Sequence, residues 1–225
     1  MKIIVTTMFD ENTMPVSKIT SDRIVEYCKL HDYNFIFNQL SNRLNPWDKL
    51  IHIVNLLKAN RCDYICWIDI DIYILDLKYK LEDLIIDINK EIHISTDNSG
   101  LCTGFIIIKN NEKSLKLFDT LHFLNTQNPR RELTYKNECG GFPTYDTKIE
   151  QNPLKILCHY FENVERMMSH IPQSIIMNPA SSDQVNPFMF HFWSHGWNEK
   201  EKMMKHLSKL ENGIVNIEEL KRWYE

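Results

Sequence analysis

The chain alternates short apolar runs with longer segments whose apolar residues recur every three or four positions. Residues 2–7, KIIVTT, read as a buried first strand. SKITSDRIVEYCKLHDY carries Ile19, Ile24, Val25 and Cys28 at helical spacing, and FIFNQL follows as a second strand. Pro46 opens PWDKLIHIVNLLKAN, where Leu50, Ile53, Val54 and Leu57 form an apolar stripe. CDYICWID reads as a third strand. A helix around KLEDLIIDIN, strands at IHIST and FIIIKN, and a long helix over EKSLKLFDTLHFLN come next. This alternation predicts an α/β fold with a mostly parallel central sheet flanked by helices.

The organisation changes after Asn125. Residues 125–147 are polar, aperiodic and hold the Gly140-Gly141 pair, so they read as a long loop of the kind that serves a function or is disordered. PLKILCHYF returns to helix and SIIM to strand. NPFMFHFWSHGW is rich in aromatic residues and contains His191 and His195, and the tail reads as two polar-faced helices. No repeat or linker divides the 225 residues, so a single domain is expected over 1–225.

Composition narrows the function classes. The 30 acidic and 26 basic residues give a net charge of −4, which argues against a nucleic-acid surface but leaves room for a local basic pocket. No run approaches the roughly 18 apolar residues of a membrane span. The six cysteines are scattered, and their pattern suits reduced, buried thiols in a reducing compartment, cytoplasmic or otherwise soluble.

The chemistry gathers at the end of the third strand, where Asp69 and Asp71 follow an apolar run. Ligand crevices of open α/β sheets lie beyond the carboxyl ends of the strands. Two close carboxylates repel unless a cation or several donors compensate, and oxygen ligands of this kind suit Mg²⁺ or Mn²⁺ with phosphate oxygens completing the shell. A second reading stays open at this point. Ile68, Ile70, Ile72 and Ile74 alternate with the aspartates, so a half-exposed strand would place both carboxylates in water. Other residues supply partners: His191 and His195, Lys49 on the helix leading into the Asp-bearing strand, and Glu150 and Gln151 before a helix expected to start at Pro153 with Asn152 as its cap. Each has a plain structural alternative as a core histidine or a solvated helix end.

Taken in order, WDKLIHIVNLLKANRCDYICWIDIDIYIL, TDNSGLCTGFIIIKNN, IEQNPLKIL and MFHFWSHGW resemble segments of the GT-A nucleotide-sugar glycosyltransferases. The similarity is to the retaining group of glycogenin-like, lipopolysaccharide galactosyl-, and galactosyl- and xylosyltransferases. The resemblance implies a GT-A, Rossmann-like domain with a nucleotide-sugar-binding part over 1–125. Residues 126–197 would form the acceptor side and carry the metal-binding histidine, and 198–225 would form C-terminal helices. It implies Asp69, Asp71 and His191 as ligands of Mn²⁺ or Mg²⁺, with His195 as second choice for the histidine. Thr6, Thr7, Lys49, Asp69, Asp97 and Gly104 would bind the donor, a UDP-sugar. Glu150 and Gln151 would flank the reacting carbon, and a glycan or glycoprotein would accept the sugar. The chain departs from that family at Cys102, where an asparagine is usual. Two alternatives outside this reading are a non-catalytic nucleotide-sugar- or glycan-binding protein, kept open by Cys102, and a haloacid-dehalogenase-like phosphatase, disfavoured by Tyr73 and the lack of a later Gly-Asp-x-x-x-Asp.

Overall fold

The computed structural model describes residues 1–41, 45–97, 100–127, 151–177, 187–192 and 196–209. Glu150, His195, Cys139, most of the long loop and the second tail helix lie outside them.

In chain order the elements are β1 (Ile3–Phe9), α1 (Met14–His31), β2 (Asn34–Gln39), α2 (Asp48–Ala59), β3 (Tyr64–Ile68), β4 (Ile72–Ile74), β5 (Ile92–Asp97) and β6 (Gly100–Lys109). They continue with α3 (Glu112–Gln127), α4 (Gln151–Tyr160), α5 (Glu162–Glu165), β7 (Met168–Ile171), β8 (Ile176–Met177), β9 (Met189–His191) and α6 (Trp197–Leu207). Six strands form the main sheet in the order β2-β1-β3-β6-β5-β7. Pairs β1–β2, β1–β3 and β5–β7 are parallel, and β6 runs against β3 and β5. The fold is thus the expected mostly parallel α/β sheet, with one reversed strand.

The apolar runs explain why the strands are central. Alternate residues of β3 and β6 feed two cores, one on each face of the sheet. Ile65, Trp67, Ile106 and Ile108 pack on one face with Leu50, Ile53 and Val54 of α2 and Phe118 of α3. Cys66, Ile68, Phe105 and Ile107 pack on the other with Ile24 and Tyr27 of α1. The five described cysteines are buried and free. A smaller sheet, β4-β9-β8, packs beside these cores. Phe190 of β9 and Val16 of α1 there meet Met203, Met204 and Leu207 of α6.

Several elements differ from the sequence expectations. The helix foreseen over residues 80–89 is a single 3-10 turn, Leu81–Leu84. Asp87 breaks it, because its side chain accepts from the Asn89 N–H at 2.9 Å and its carbonyl from the Lys90 N–H at 2.9 Å. β6 begins at Gly100 rather than Phe105, entered through a positive φ of 100° that suits glycine. α4 begins at Gln151, so Asn152 and Pro153 lie within its first turn rather than capping and opening it, where proline's missing N–H is no loss. β7 carried no strand pattern in Met168-Ser169-His170-Ile171, yet its pairing with β5 completes the main sheet.

Candidate functional site

The chain between β3 and β4 does not run straight. β3 ends at Ile68, and the Asp69 N–H donates to the Gly104 carbonyl at 2.7 Å. The Ile72 N–H then donates to the Asp69 carbonyl at 3.0 Å, closing a turn across Ile70 and Asp71. The half-exposed strand is therefore not what forms: Ile70 and Ile72 are buried on the far side of the turn, and Asp71 is buried with them. The turn brings both carboxylates to the carboxyl end of β3.

His191 arrives by sheet pairing. β4 and β9 are antiparallel with Ile72 opposite His191, and the Phe192 N–H donates to the Asp71 carbonyl at 3.0 Å. His191 Nε2 then stands 3.4 Å from Asp71 Oδ1. Among the described residues, Asp69, Asp71 and His191 offer ligand atoms that all lie within 4.8 Å of one another. Two carboxylates and an imidazole converging at that spacing fit a divalent cation of the Mn²⁺ or Mg²⁺ class.

Gly104 is what lets His191 in. A Cβ at Gly104 would overlap the imidazole, with both ring nitrogens at 2.9 Å. This glycine is the one expected at the donor sugar; its Cα faces the histidine and its carbonyl accepts from the Asp69 N–H. Cys102, two residues earlier, places Sγ 3.6 Å from His191 Nδ1 on the other edge of the ring.

Lys49 is not the solvated helix end that its position permitted. It is buried, and its ammonium donates to Asp69 Oδ1 at 3.3 Å, to the Thr103 carbonyl at 3.2 Å and to Thr103 Oγ1 at 3.4 Å. It also lies 5.5 Å above the Trp67 ring, whose Nε1–H donates to the same Asp69 oxygen. Gln151 joins the cluster through the first turn of α4: its Oε1 accepts from the Thr103 N–H at 2.9 Å.

Thr6 and Thr7 are fully buried at the carboxyl half of β1. The Thr6 hydroxyl is engaged with His52 Nε2 at 2.7 Å, whereas Thr7 Oγ1 has no hydrogen-bond partner among the described residues. No described contact links either threonine to the two aspartates. The backbone of Asp97 pairs with Gly100 at the β5–β6 turn, and its side chain lies outside the described ones, as do Glu150 and His195.

One charged residue of the cluster escaped the sequence reading. Lys200 of α6 is buried and donates to Asp71 Oδ2 at 2.7 Å. It was hidden in a lysine-rich tail that reads as solvated. The available signal was periodicity: Lys200, Met203, Met204 and Leu207 share one helical face, and that face is the buried one.

The electrostatics follow from these contacts. Burial alone would raise the Asp71 carboxyl, but His191 and Lys200 together hold it well below the ordinary carboxylate range. Burial likewise opposes a charge on His191, and the Asp71 carboxylate beside it overcomes that and raises the imidazole above its ordinary value.

With this geometry in place, the fold can be compared with known proteins. The structure matches a glycosyltransferase involved in the glycosylation of the major capsid of PBCV-1, with a TM-score of 0.67 and 16% identity over 92% of this chain and 100% of that one. It matches the glycosyltransferase GlyE of Streptococcus pneumoniae TIGR4 with a TM-score of 0.60 and 12% identity, over 99% of this chain and 63% of that one. It also matches the galactosyltransferase LgtC, solved with donor and acceptor sugar analogs, with a TM-score of 0.51 and 11% identity, over 92% and 97% of the two chains. Residues 2–90 match the sequence pattern of the galactosyl transferase GMA12/MNN10 family. The chain has the GT-A fold of these glycosyltransferases. No curated protein matches its sequence significantly. The stretch matched by the family contains Thr6, Thr7, Lys49, Asp69 and Asp71, and ends before His191 and Lys200. No helix among the described residues is long and apolar enough to cross a membrane.

Proposed function

We propose that the chain moves a hexose or pentose from a UDP-sugar to a glycan or protein acceptor, in a divalent-metal-dependent reaction that retains the anomeric configuration. The observation that carries this reading is the convergence of Asp69, Asp71 and His191 at the carboxyl end of β3, the position where open α/β sheets bind ligands. The LgtC complex with donor and acceptor sugar analogs supports a donor and an acceptor sharing such a site.

Asp69, Asp71 and His191 would hold the Mn²⁺ or Mg²⁺ ion, whose chemistry there is Lewis-acid stabilisation of the charge left on the departing diphosphate. The chain's own residues account for the remainder. Trp67 and Lys49 orient Asp69 by donating to one of its oxygens. Gly104 gives His191 the room to face Asp71. Lys49 adds fixed positive charge beside the carboxylates, where negative charge builds on the leaving group. Gln151 is anchored on the Thr103 N–H and would flank the reacting carbon from the start of α4. Thr7, whose hydroxyl has no hydrogen-bond partner among the described residues, suits contact with the nucleoside better than Thr6, whose hydroxyl His52 already uses. Glu150 serves as general base in the rival inverting route. Asp97 remains the proposed donor-sugar contact.

The test is transfer from UDP-sugars to a panel of glycan acceptors with Mn²⁺ and with excess EDTA. Turnover is expected with Mn²⁺ and is abolished by EDTA; full turnover in EDTA removes the metal from the reading. The anomeric proton coupling of the product, read by NMR, decides retention against inversion.

A further inference from the structure

The proposed reaction leaves Lys200 without a role, although the residue is only 5% exposed and its ammonium pairs with Asp71. Lys200 Nζ donates to Asp71 Oδ2 at 2.7 Å, while the other oxygen, Asp71 Oδ1, faces His191 Nε2 at 3.4 Å. Both oxygens of the buried carboxylate therefore already face a protein nitrogen. The lysine is firmly placed. Met203, Met204 and Leu207 anchor its helix in the core, Glu199 accepts the Gly196 N–H at the helix start, and the Trp197 ring lies 4.3 Å from Nζ.

A cation bound through Asp71 must share that carboxylate with the ammonium. In a poorly solvated site two positive charges on one carboxylate repel strongly. An ammonium that releases Asp71 without finding another anion becomes a buried unpaired charge, a more costly state than the pair it left. A diphosphate removes the conflict, because its oxygens offer the ammonium a second anion at the moment the cation takes Asp71. We propose that Lys200 is a built-in counter-ion that makes divalent-cation binding at Asp69, Asp71 and His191 conditional on a nucleoside diphosphate arriving with it. The cation alone binds weakly because Lys200 holds Asp71, and by linkage each ligand strengthens the other by the same factor. This inference rests on the proposed function, since it takes the cation and diphosphate from that reading.

The experiment measures Mn²⁺ binding from the electron paramagnetic resonance signal of the free ion, with and without UDP. It compares the wild-type chain, Lys200→Gln and Lys200→Arg, with circular dichroism melts to establish folding. Glutamine keeps a hydrogen-bond donor near Asp71 and removes the charge; arginine keeps the charge. Lys200→Gln is expected to bind Mn²⁺ alone about tenfold more tightly than wild type, with a correspondingly smaller gain from UDP. Lys200→Arg should keep the weak binding of Mn²⁺ alone. Equal or weaker binding of Mn²⁺ alone by Lys200→Gln overturns the inference while leaving the metal reading intact. If that variant does not fold, wild type decides: Mn²⁺ affinity unchanged by UDP overturns the inference, and a large gain supports it. Mn²⁺ that binds neither alone nor with UDP overturns the inference and the metal reading together.

Discussion

His191 and His93 are 6% and 0% exposed, yet their surroundings push the two rings in opposite directions, the first toward its charged form and the second toward its neutral one. His191 sits in β9 among charges, with Asp71 on one edge and Cys102 on the other. His93 sits in β5, between Ile107 and Ser169 of the neighbouring strands, and neither of its ring nitrogens has a hydrogen-bond partner among the described residues. Burial pushes the His93 imidazole down to about 4, with Asp87 opposing and Lys109 adding to that effect. The same force acts on both rings, and the neighbours decide the outcome. A buried histidine kept neutral serves packing. One whose charged form a carboxylate favours, beside two aspartates and two lysines, belongs to a region where the chain spends stability on chemistry.

The largest break in this contrast is Asp71→Ala. It leaves the Lys200 ammonium buried with no carboxylate in reach at that position, and should cost about 3–5 kcal/mol in urea unfolding. Sugar transfer should fall on the order of 10³-fold in the same variant. Retention of both stability and transfer would show that the charged region is not a site.

At the other histidine, the prediction concerns pH. The folded His93 value lies below the ordinary 6.5, so the unfolded chain takes up the proton first. Stability from this group is therefore complete at neutral pH and falls as pH drops from about 6.5 toward 4, by roughly 3 kcal/mol in all. His93→Met should flatten the difference between urea midpoints at pH 7 and pH 4.5. A slope unchanged by that substitution would assign the acid loss to other groups.

Gly104→Ala tests whether the charged region depends on close approach. The added methyl must displace the His191 ring, so a loss of about 1–3 kcal/mol is expected in thermal or urea unfolding. Mn²⁺ affinity measured with UDP should weaken in parallel. Unfolding unchanged by the methyl would mean that the ring moves freely.

The smallest effect is expected at Thr7, another buried polar group without a hydrogen-bond partner among the described residues. Thr7→Val removes an unsatisfied hydroxyl and should change stability by less than about 1 kcal/mol, in the stabilising direction. UDP affinity, followed by calorimetry, should nevertheless weaken if Thr7 faces the nucleoside. Unchanged UDP affinity would place Thr7 with His93 as packing.

How much of this was legible follows from the range of each signal. β1, β3 and β6 announce themselves as β-branched apolar runs, and α2 as a stripe of four apolar residues, because those patterns are local. β7 was not legible, since a short stretch with Met168 and Ile171 becomes a strand only when β5 offers its edge. The helix expected over 80–89 failed for the opposite reason, a local Asp87 turn stronger than the apolar spacing. At the site, the two aspartates and His191 were legible as residue types in order along the chain. Lys200 needed the helical face it shares with Met203, Met204 and Leu207 to be read as buried, against a lysine-rich composition that argued for solvent.

The sequence by itself determined the α/β alternation, the end of β3 just before Asp69 and the residue types proposed to bind a cation. Those properties depend on neighbours within a few positions. Only the tertiary structure decided that the chain turns between Asp69 and Asp71, that pairing of β4 with β9 carries His191 to Asp71, and that α6 delivers an ammonium to the same carboxylate. Those contacts join residues as far as 129 positions apart, and their energies come from burial, pairing and charge, which no local pattern of residues records.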